Sequence, residues 1–173
     1  RTAALSRQLS LFFKLYINQL LEKGVYSLKG RSENVIKRNA TIVYSGGDDV
    51  FIVGAWDDVI ELAVDLRREF EKYTEGTLSL SAGIGIYHDH YPISASAEEV
   101  AKQEDASKKL PGKNAVTLLE DGQTHEEETG GQKRKVRDGT YRWNDFEAGV
   151  IEDKLQVLRA FFDFEEERGK AFL

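Results

Sequence analysis

Two adjacent aspartates, Asp48 and Asp49, follow the glycines Gly46 and Gly47 between two short apolar runs. Glycine supplies the positive φ angles of a tight hairpin, so the pattern predicts a β-hairpin whose tip carries two carboxylates. Ionised neighbours repel each other, and a hard divalent cation that binds carboxylate and phosphate oxygens would stabilise them. Two such ions about 4 Å apart can activate a 3′-hydroxyl and stabilise a leaving pyrophosphate. The alternative is a plain hairpin turn with solvated acids.

A second candidate segment joins a predicted helix to a predicted strand and carries Lys109 and Lys113 on either side of Gly112. Both ammonium groups could face a triphosphate as point charges. The alternative is a helix C-terminus that carries lysines because cations complement the helix dipole there.

Apolar spacing and turn residues predict the elements that position these groups. A polar loop is predicted over 29–39. Asp57 or Asp58 is the expected N-cap of the second helix, and Ser96 with Glu99 forms a capping box for the third. Gly83 is expected to pack closely against the hairpin. The predicted order is a helix over 3–23, strands over 40–44 and 50–55, a helix from 57 or 58 to 73, a strand over 78–86, a helix ending near 109, and a strand over 115–119.

This order fits an α+β fold, the ferredoxin-like palm of nucleotide cyclases and polymerases, without its first strand. That strand is central in such a sheet. We therefore expect another segment or chain to fill a slot between the hairpin and the strand over 78–87. Residues 1–173 alone are expected to expose unpaired strand edges and to lack activity.

The chain divides at a change of composition. Residues 1–119 form the predicted palm or cyclase domain. Residues 120–139, with an acidic run before a basic run, are interpreted as an exposed charged linker. Residues 140–173 are interpreted as the start of a helical domain.

Composition limits the function classes. The chain has 173 residues, begins with Arg1, and contains neither methionine nor cysteine, so we expect a piece of a longer protein from a reducing, cytoplasmic compartment. The net charge of −6 does not favour a broad basic surface for nucleic acid. No membrane span is predicted.

His88, Asp89 and His90 are interpreted as an exposed loop rather than a metal site.

The segment from Tyr44 to Phe51 resembles the GGDD motif of the large subunit of type III-A (Csm-type) CRISPR effector complexes. Residues 5–13, 81–86, 91–93 and 109–114 resemble other parts of the palm of that subunit. Residues 143–162 resemble the opening of its C-terminal helical domain, so the resemblance covers most of the chain.

The resemblance implies that ATP is polymerised into cyclic oligoadenylates when the complex binds target RNA. Asp48 and Asp49 would be catalytic residues and ligands of Mg²⁺ or Mn²⁺. The ATP-binding residues implied are Ser45, Gly46, Gly47, Lys109 and Lys113. The implied partners are other Csm-type subunits, guide RNA, target RNA and the remainder of the parent chain. A further metal-binding aspartate, an HD nuclease domain and a second palm would lie outside this chain.

Two alternatives stay open. Diguanylate cyclases with a GGDEF motif are related, and their lysine before a Gly-Arg-Asn turn corresponds to Lys109. Asp49 stands where those enzymes carry glutamate, which favours the CRISPR family. The other alternative is a catalytically inactive palm that acts as a scaffold.

Overall fold

The computed structural model describes residues 2–28, 36–46, 49–119, 124–129, 132–137 and 139–164. These residues form an α+β fold, as predicted. Its elements are α1 (Thr2–Glu22), β1 (Ala40–Gly46), β2 (Asp49–Gly54), α2 (Trp56–Tyr73), β3 (Ala82–Ile84), α3 (Ile93–Lys109), β4 (Ala115–Leu118), β5 (Thr124–Thr129), β6 (Gln132–Arg137), β7 (Thr140–Arg142), α4 (Trp143–Asp145), a π-helical segment (Phe146–Lys154) and α5 (Leu155–Phe164). No helix in the described ranges is both long and apolar enough to cross a membrane.

Helices α1 and α2 pack together through aromatic side chains over the β1–β2 hairpin. The ring of Phe70 lies 5.2 Å from that of Phe12 and 5.8 Å from that of Phe13, measured between centroids. Edge-on and offset ring contacts of this kind stabilise a core beyond simple burial. The buried members of this first cluster are Phe12, Phe13, Ile17, Leu20, Leu62, Leu66 and Phe70.

A second buried cluster lies on another face of α2 and joins it to the C-terminal part of the chain. Trp143 is fully buried there, and its indole Nε1 donates a hydrogen bond to the carbonyl oxygen of Leu80 at 2.8 Å. The buried members of this cluster are Leu28, Ile60, Val64, Ile84, Val116, Trp143, Phe146 and Ile151. Because α2 contributes to both clusters, it forms the central layer of the fold.

The strands of the palm fall into two separate sheets. Strands β1 and β2 pair antiparallel, with Gly46 opposite Asp49. Strand β3 pairs parallel with β4, and β4 pairs antiparallel with β7. Among the described residues no strand links β2 to β3. The predicted slot is therefore present between the two sheets.

A buried charged network fixes the base of the hairpin to α2. The guanidinium of Arg38 contacts Glu61, and its Nη2 lies 2.6 Å from Oδ2 of Asp65. Nη2 also donates to the carbonyl oxygen of Tyr26 at 2.6 Å. Arg38, Glu61 and Asp65 are all buried. A buried charge is tolerated only when it is paired and hydrogen-bonded, and this network meets that condition for the guanidinium Nη groups.

The carboxylates of the network also accept backbone hydrogen bonds from neighbouring segments. Asp65 accepts from the amides of Val25 and Tyr26, and Glu61 accepts from the amide of Leu28 at 2.7 Å. Asp58 accepts from the amide of Asn39, the residue before β1, at 3.0 Å. The network therefore anchors the chain on both sides of 29–35. Most of the predicted polar loop over 29–39 lies outside the described residues.

Two predicted helix starts were wrong. Helix α2 begins at Trp56 after Ala55, so Asp57 and Asp58 lie in its first turn and neither is the N-cap. Helix α3 begins at Ile93 after Pro92, so Ser96 lies inside the helix, where its hydroxyl donates to the carbonyl oxygen of Ile93. Proline fixes φ near the value a helix start needs, which explains the earlier beginning.

The charged segment contains regular structure where a linker was expected. Strands β5 and β6 pair antiparallel with each other, and β7 joins the palm sheet. Trp143 and Phe146 then enter the same core as β3 and β4. The domain limits at 119 and 140 stay a prediction, and Trp143, Phe146 and Ile151 pack in the same buried cluster as residues of α2, β3 and β4.

Candidate functional site: a cavity beside the glycine hairpin

The hairpin that carries the candidate site forms as the sequence predicts. Ser45 faces Val50 in the register, and Gly46 faces Asp49. Only Gly47 and Asp48 connect that last pair, and both lie outside the described residues. Asp49 is exposed at the start of β2. The tip of the hairpin therefore presents at least one carboxylate to solvent.

A cavity of about 500 Å³ lies between the two sheets. Residues 49–52 of β2 form one wall, and residues 80–84 form the other. Helix α2 contributes apolar side chains such as Leu62 and Leu66. The buried hydroxyl of Ser81 in the second wall has no hydrogen-bond partner among the described residues. The cavity coincides with the slot expected for a missing central strand.

Gly83 brings α3 against the second wall. A Cβ atom at Gly83 would lie 2.6 Å from the backbone nitrogen of Glu104 and 2.8 Å from Cβ of Gln103. The predicted close packing is therefore present. Gly83 packs against α3, however, and the prediction that it packs against the hairpin was wrong. The close approach sets the position of the last turns of α3 relative to the cavity.

Two charged residues on α3 face the hairpin carboxylate. Glu104 lines the cavity together with Asp49. Nζ of Lys108 lies 2.7 Å from Oε1 of Glu104. That hydrogen bond to Glu104 raises the pKa of Lys108, desolvation opposes it, and the negative charge of Asp49 contributes to the increase. Lys108 is therefore a persistent cation near the candidate site.

The lysines predicted from the sequence lie at the end of α3 and in the loop after it. Lys109 is exposed at the last position of α3. Lys113 and Asn114 have φ angles of 54° and 53°, and Gly112 has a φ of 82°. Lys109 and Lys113 form no salt bridge with any residue that the structure describes.

A chain of hydroxyl groups holds the end of α3 on the sheet. The hydroxyl of Ser107 donates to the carbonyl oxygen of Ala82 at 2.8 Å and lies 2.8 Å from that of Thr117. The hydroxyl of Thr117 lies 2.9 Å from that of Thr140 on β7. Ser107 and Thr117 are fully buried. Buried hydrogen bonds of this kind fix the neighbouring Lys108 and Lys109 in position relative to β3 and β4.

Carboxylate oxygens are suitable ligands for Mg²⁺ or Mn²⁺, and Asp49 offers them at the open edge of the cavity. Within the described ranges no group of three or more acidic or histidine side chains converges on one point. The carboxylate oxygens of Asp49 fit a hard cation of this kind. The described residues supply only part of a two-metal ligand set, and Asp48 is not among them.

Sequence reasoning missed Glu104 and Lys108. A usable signal existed, because Ala97, Ala101, Glu104 and Lys108 share one face of a helix with 3.6 residues per turn.

His88, Asp89 and His90 were interpreted as an exposed loop, and all three are exposed. This part of the prediction is confirmed.

Together, the glycine hairpin, the α+β layers and the cavity beside Asp49 define a palm-type domain. The family model described as Cas10/Cmr2, second palm domain, matches residues 1–117. The chain belongs to this family.

Curated relatives agree with this assignment. The chain is 46% identical over its whole length to a Mycobacterium tuberculosis protein named CRISPR system single-strand-specific deoxyribonuclease Cas10/Csm1 (subtype III-A). It is 37% identical, again over its whole length, to the Streptococcus thermophilus protein of the same name. It spans 19% of the length of each, so the activities of those whole proteins do not transfer directly.

Solved structures show the same fold. A Csm1–Csm4 cassette in complex with one ATP matches with a TM-score of 0.64 and 32% identity, covering 83% of this chain and 20% of that one. A cassette in complex with cA4 matches with a TM-score of 0.63 and 31% identity, covering 83% of this chain and 20% of that one.

Proposed function

We propose that this palm carries out ATP-dependent synthesis of cyclic oligoadenylates within an RNA-guided type III-A CRISPR complex. The observation that carries the proposal is the hairpin with Gly46 opposite Asp49, placed at the edge of a cavity. It is supported by similarity to structures that hold one ATP or cA4. The other Csm-type subunits, the guide RNA and the target RNA would then be its partners.

The residues have separate roles in this proposal. Ser45, Gly46 and Gly47 would contact ATP, since glycine lets the backbone approach the nucleotide without a Cβ atom in the way. Lys109 and Lys113 would bind its phosphates.

Asp48 and Asp49 would hold Mg²⁺ or Mn²⁺. When bound, the metal supplies charge stabilisation for the attacking 3′-hydroxyl and for the leaving pyrophosphate. The protein contributes the position of the carboxylates, which the hairpin register sets. A further carboxylate is needed to complete two metal sites, and the resemblance assigns it to the first palm strand.

The remainder of the parent chain would supply that strand. The cavity between β2 and β3 has the strand edges of two sheets as its walls, and both edges are unpaired among the described residues. A strand paired on both sides would satisfy those backbone groups, which are costly to leave unpaired once buried.

The test is to replace Asp48 and Asp49 by alanine in the complete protein, assembled with its subunits, guide RNA and target RNA. We expect oligoadenylate synthesis from ATP to fall by a factor of about 1,000 or more, because removing metal ligands costs several kcal/mol of transition-state stabilisation. Guide and target RNA binding should be unchanged.

The control is Asp89→Ala, which removes an exposed carboxylate away from the hairpin. This variant should keep full activity. Unchanged product yield in the double variant would contradict the assignment of Asp48 and Asp49. A cyclic GMP product from GTP, without an adenylate product from ATP, would point to the diguanylate cyclase alternative. Absence of nucleotide binding in the parent protein would point to a scaffold.

A further inference from the structure

Lys108 and Lys109 are neighbours in the sequence but lie on different faces of α3. With 100° per residue, Lys108 continues the side of the helix on which Ala97, Ala101 and Glu104 line the cavity. Lys109 lies 100° further round and continues a different side. That second side carries the exposed residues Glu98, Lys102 and Asp105.

The backbone near Lys108 has little freedom to move. Gly83 brings β3 against the backbone at Glu104, and the buried Ser107 hydroxyl bonds to both β3 and β4. The turn that begins at Glu104 is therefore fixed on the second wall of the cavity. Because Lys108 pairs with Glu104, which lines the cavity together with Asp49, its ammonium group lies on the cavity side of α3.

The side chains of Glu104 and Lys108 are both partly accessible to solvent. The side chain of Lys108 is 42% exposed and that of Glu104 is 32% exposed. An ion pair as exposed as this one contributes little to the stability of a helix. A polyanionic ligand could displace Glu104 from Lys108 at small cost.

We propose that Lys108, held toward the hairpin by Glu104, is the principal phosphate-binding cation of α3 and contributes more to nucleotide binding than Lys109. This inference rests on the proposed function, since it names a further residue of the same site. The ligand class is a nucleoside triphosphate, whose phosphates would lie between Lys108 and the carboxylate of Asp49. A cation bound by Asp49 and phosphate oxygens together would make that arrangement electrostatically consistent.

The experiment compares four variants of the complete protein in its complex: Lys108→Gln, Lys108→Arg, Lys109→Gln and Lys102→Gln. The last is the matched control, an exposed lysine on the solvent side of the same helix. Steady-state rates are measured against ATP concentration with Mg²⁺. Equilibrium binding of a non-hydrolysable ATP analogue is measured in parallel.

We expect Lys108→Gln to raise the KM for ATP and the Kd of the analogue by about tenfold or more, since a tenfold change corresponds to one charge-assisted contact. The value of kcat should change less. Lys109→Gln should have a smaller effect, and Lys102→Gln none. Lys108→Arg should restore most of the affinity because it keeps the charge. Melting temperatures should be equal, which separates a binding role from a structural one.

Equal KM and Kd for Lys108→Gln and Lys102→Gln would overturn the inference and leave Lys108 as a surface ion pair. A larger effect at Lys109 than at Lys108 would overturn it as well. If the parent binds the analogue but makes no oligoadenylate, the proposed function fails, and the Kd values still decide on Lys108. If the parent does not bind the analogue, both proposals fail.

Discussion

Two neighbouring faces of α2 are both buried but differ in the chemistry of their side chains. One face carries Asp58, Glu61 and Asp65, whose carboxylates bind Arg38 and several backbone amides. The other face carries Leu62 and Leu66, which line the cavity between the two sheets. Polar groups are costly to bury unpaired, so the chain itself satisfies most of them on the first face. The second face is apolar, and it borders the candidate site.

The largest effect is expected from disrupting the charged network on the polar face of α2. Arg38→Met removes the cation and leaves Glu61 and Asp65 buried without it. We expect the free energy of unfolding to fall by about 3–5 kcal/mol, as for other buried ion pairs that lose one partner. Thermal unfolding and soluble yield of the complete protein measure this loss.

The control for Arg38 is Lys72→Met on the same helix. Lys72 pairs with Glu69 at 2.6 Å, but its side chain is 72% exposed, so its loss should change stability by less than about 0.5 kcal/mol. Equal effects of the two substitutions would show that the buried network does not determine the stability of this face.

A smaller effect is expected at Gly83 in the second wall of the cavity. Gly83→Ala places a methyl group against the backbone of Glu104 and the side chain of Gln103. We expect a loss of about 1–3 kcal/mol from overpacking, measured by thermal unfolding. Nucleotide affinity should fall as well, since α3 must move away from β3.

Gly149→Ala is the matched control, because its added Cβ atom meets nothing within 4 Å. The substitution should leave stability unchanged or raise it by up to about 1 kcal/mol, since alanine favours helical backbone more than glycine does. If the Gly83→Ala variant is as stable as the Gly149→Ala variant, α3 can move away from β3 without a loss of stability.

The smallest expected effect is local and needs no substitution. If a strand of the parent chain fills the cavity, the amides of β2 that do not bond to β1 should exchange slowly with solvent in the complete protein. Hydrogen-exchange mass spectrometry of a peptide covering residues 49–54 measures this protection. Amides of the exposed loop around Asp89 serve as the fast-exchanging reference. Protection limited to the amides of β2 that bond to β1 would exclude a strand in the slot.

Much of the fold could be predicted because its signals are local. The apolar spacing in residues 3–23 predicts α1, which spans Thr2–Glu22, and the glycine pair predicts the hairpin. The place of the cavity could be predicted from the palm topology alone. The Arg38 network could not, because it joins residues that are far apart in sequence and that look like an ordinary polar loop and a solvated helix face.

The hairpin of β5 and β6 was missed for a different reason. Its strands carry hardly any apolar residues, so the alternation that indicates a half-buried strand is missing. A signal was present in the charges. The register places Glu126, Glu127 and Glu128 opposite Lys135, Arg134 and Lys133. Opposite charges in facing runs favour an antiparallel pair, which could have predicted this element.

The burial of Trp143 has a consequence for how this protein can be divided. The indole lies within the palm core and bonds to Leu80, while β7 just before it supplies an outer strand of the palm sheet. A truncation after residue 139 would remove that strand and leave a hole the size of an indole next to Val116. The strands of the palm and the first turns of the following helical segment share one buried core, so a cut at the change of composition would divide that core.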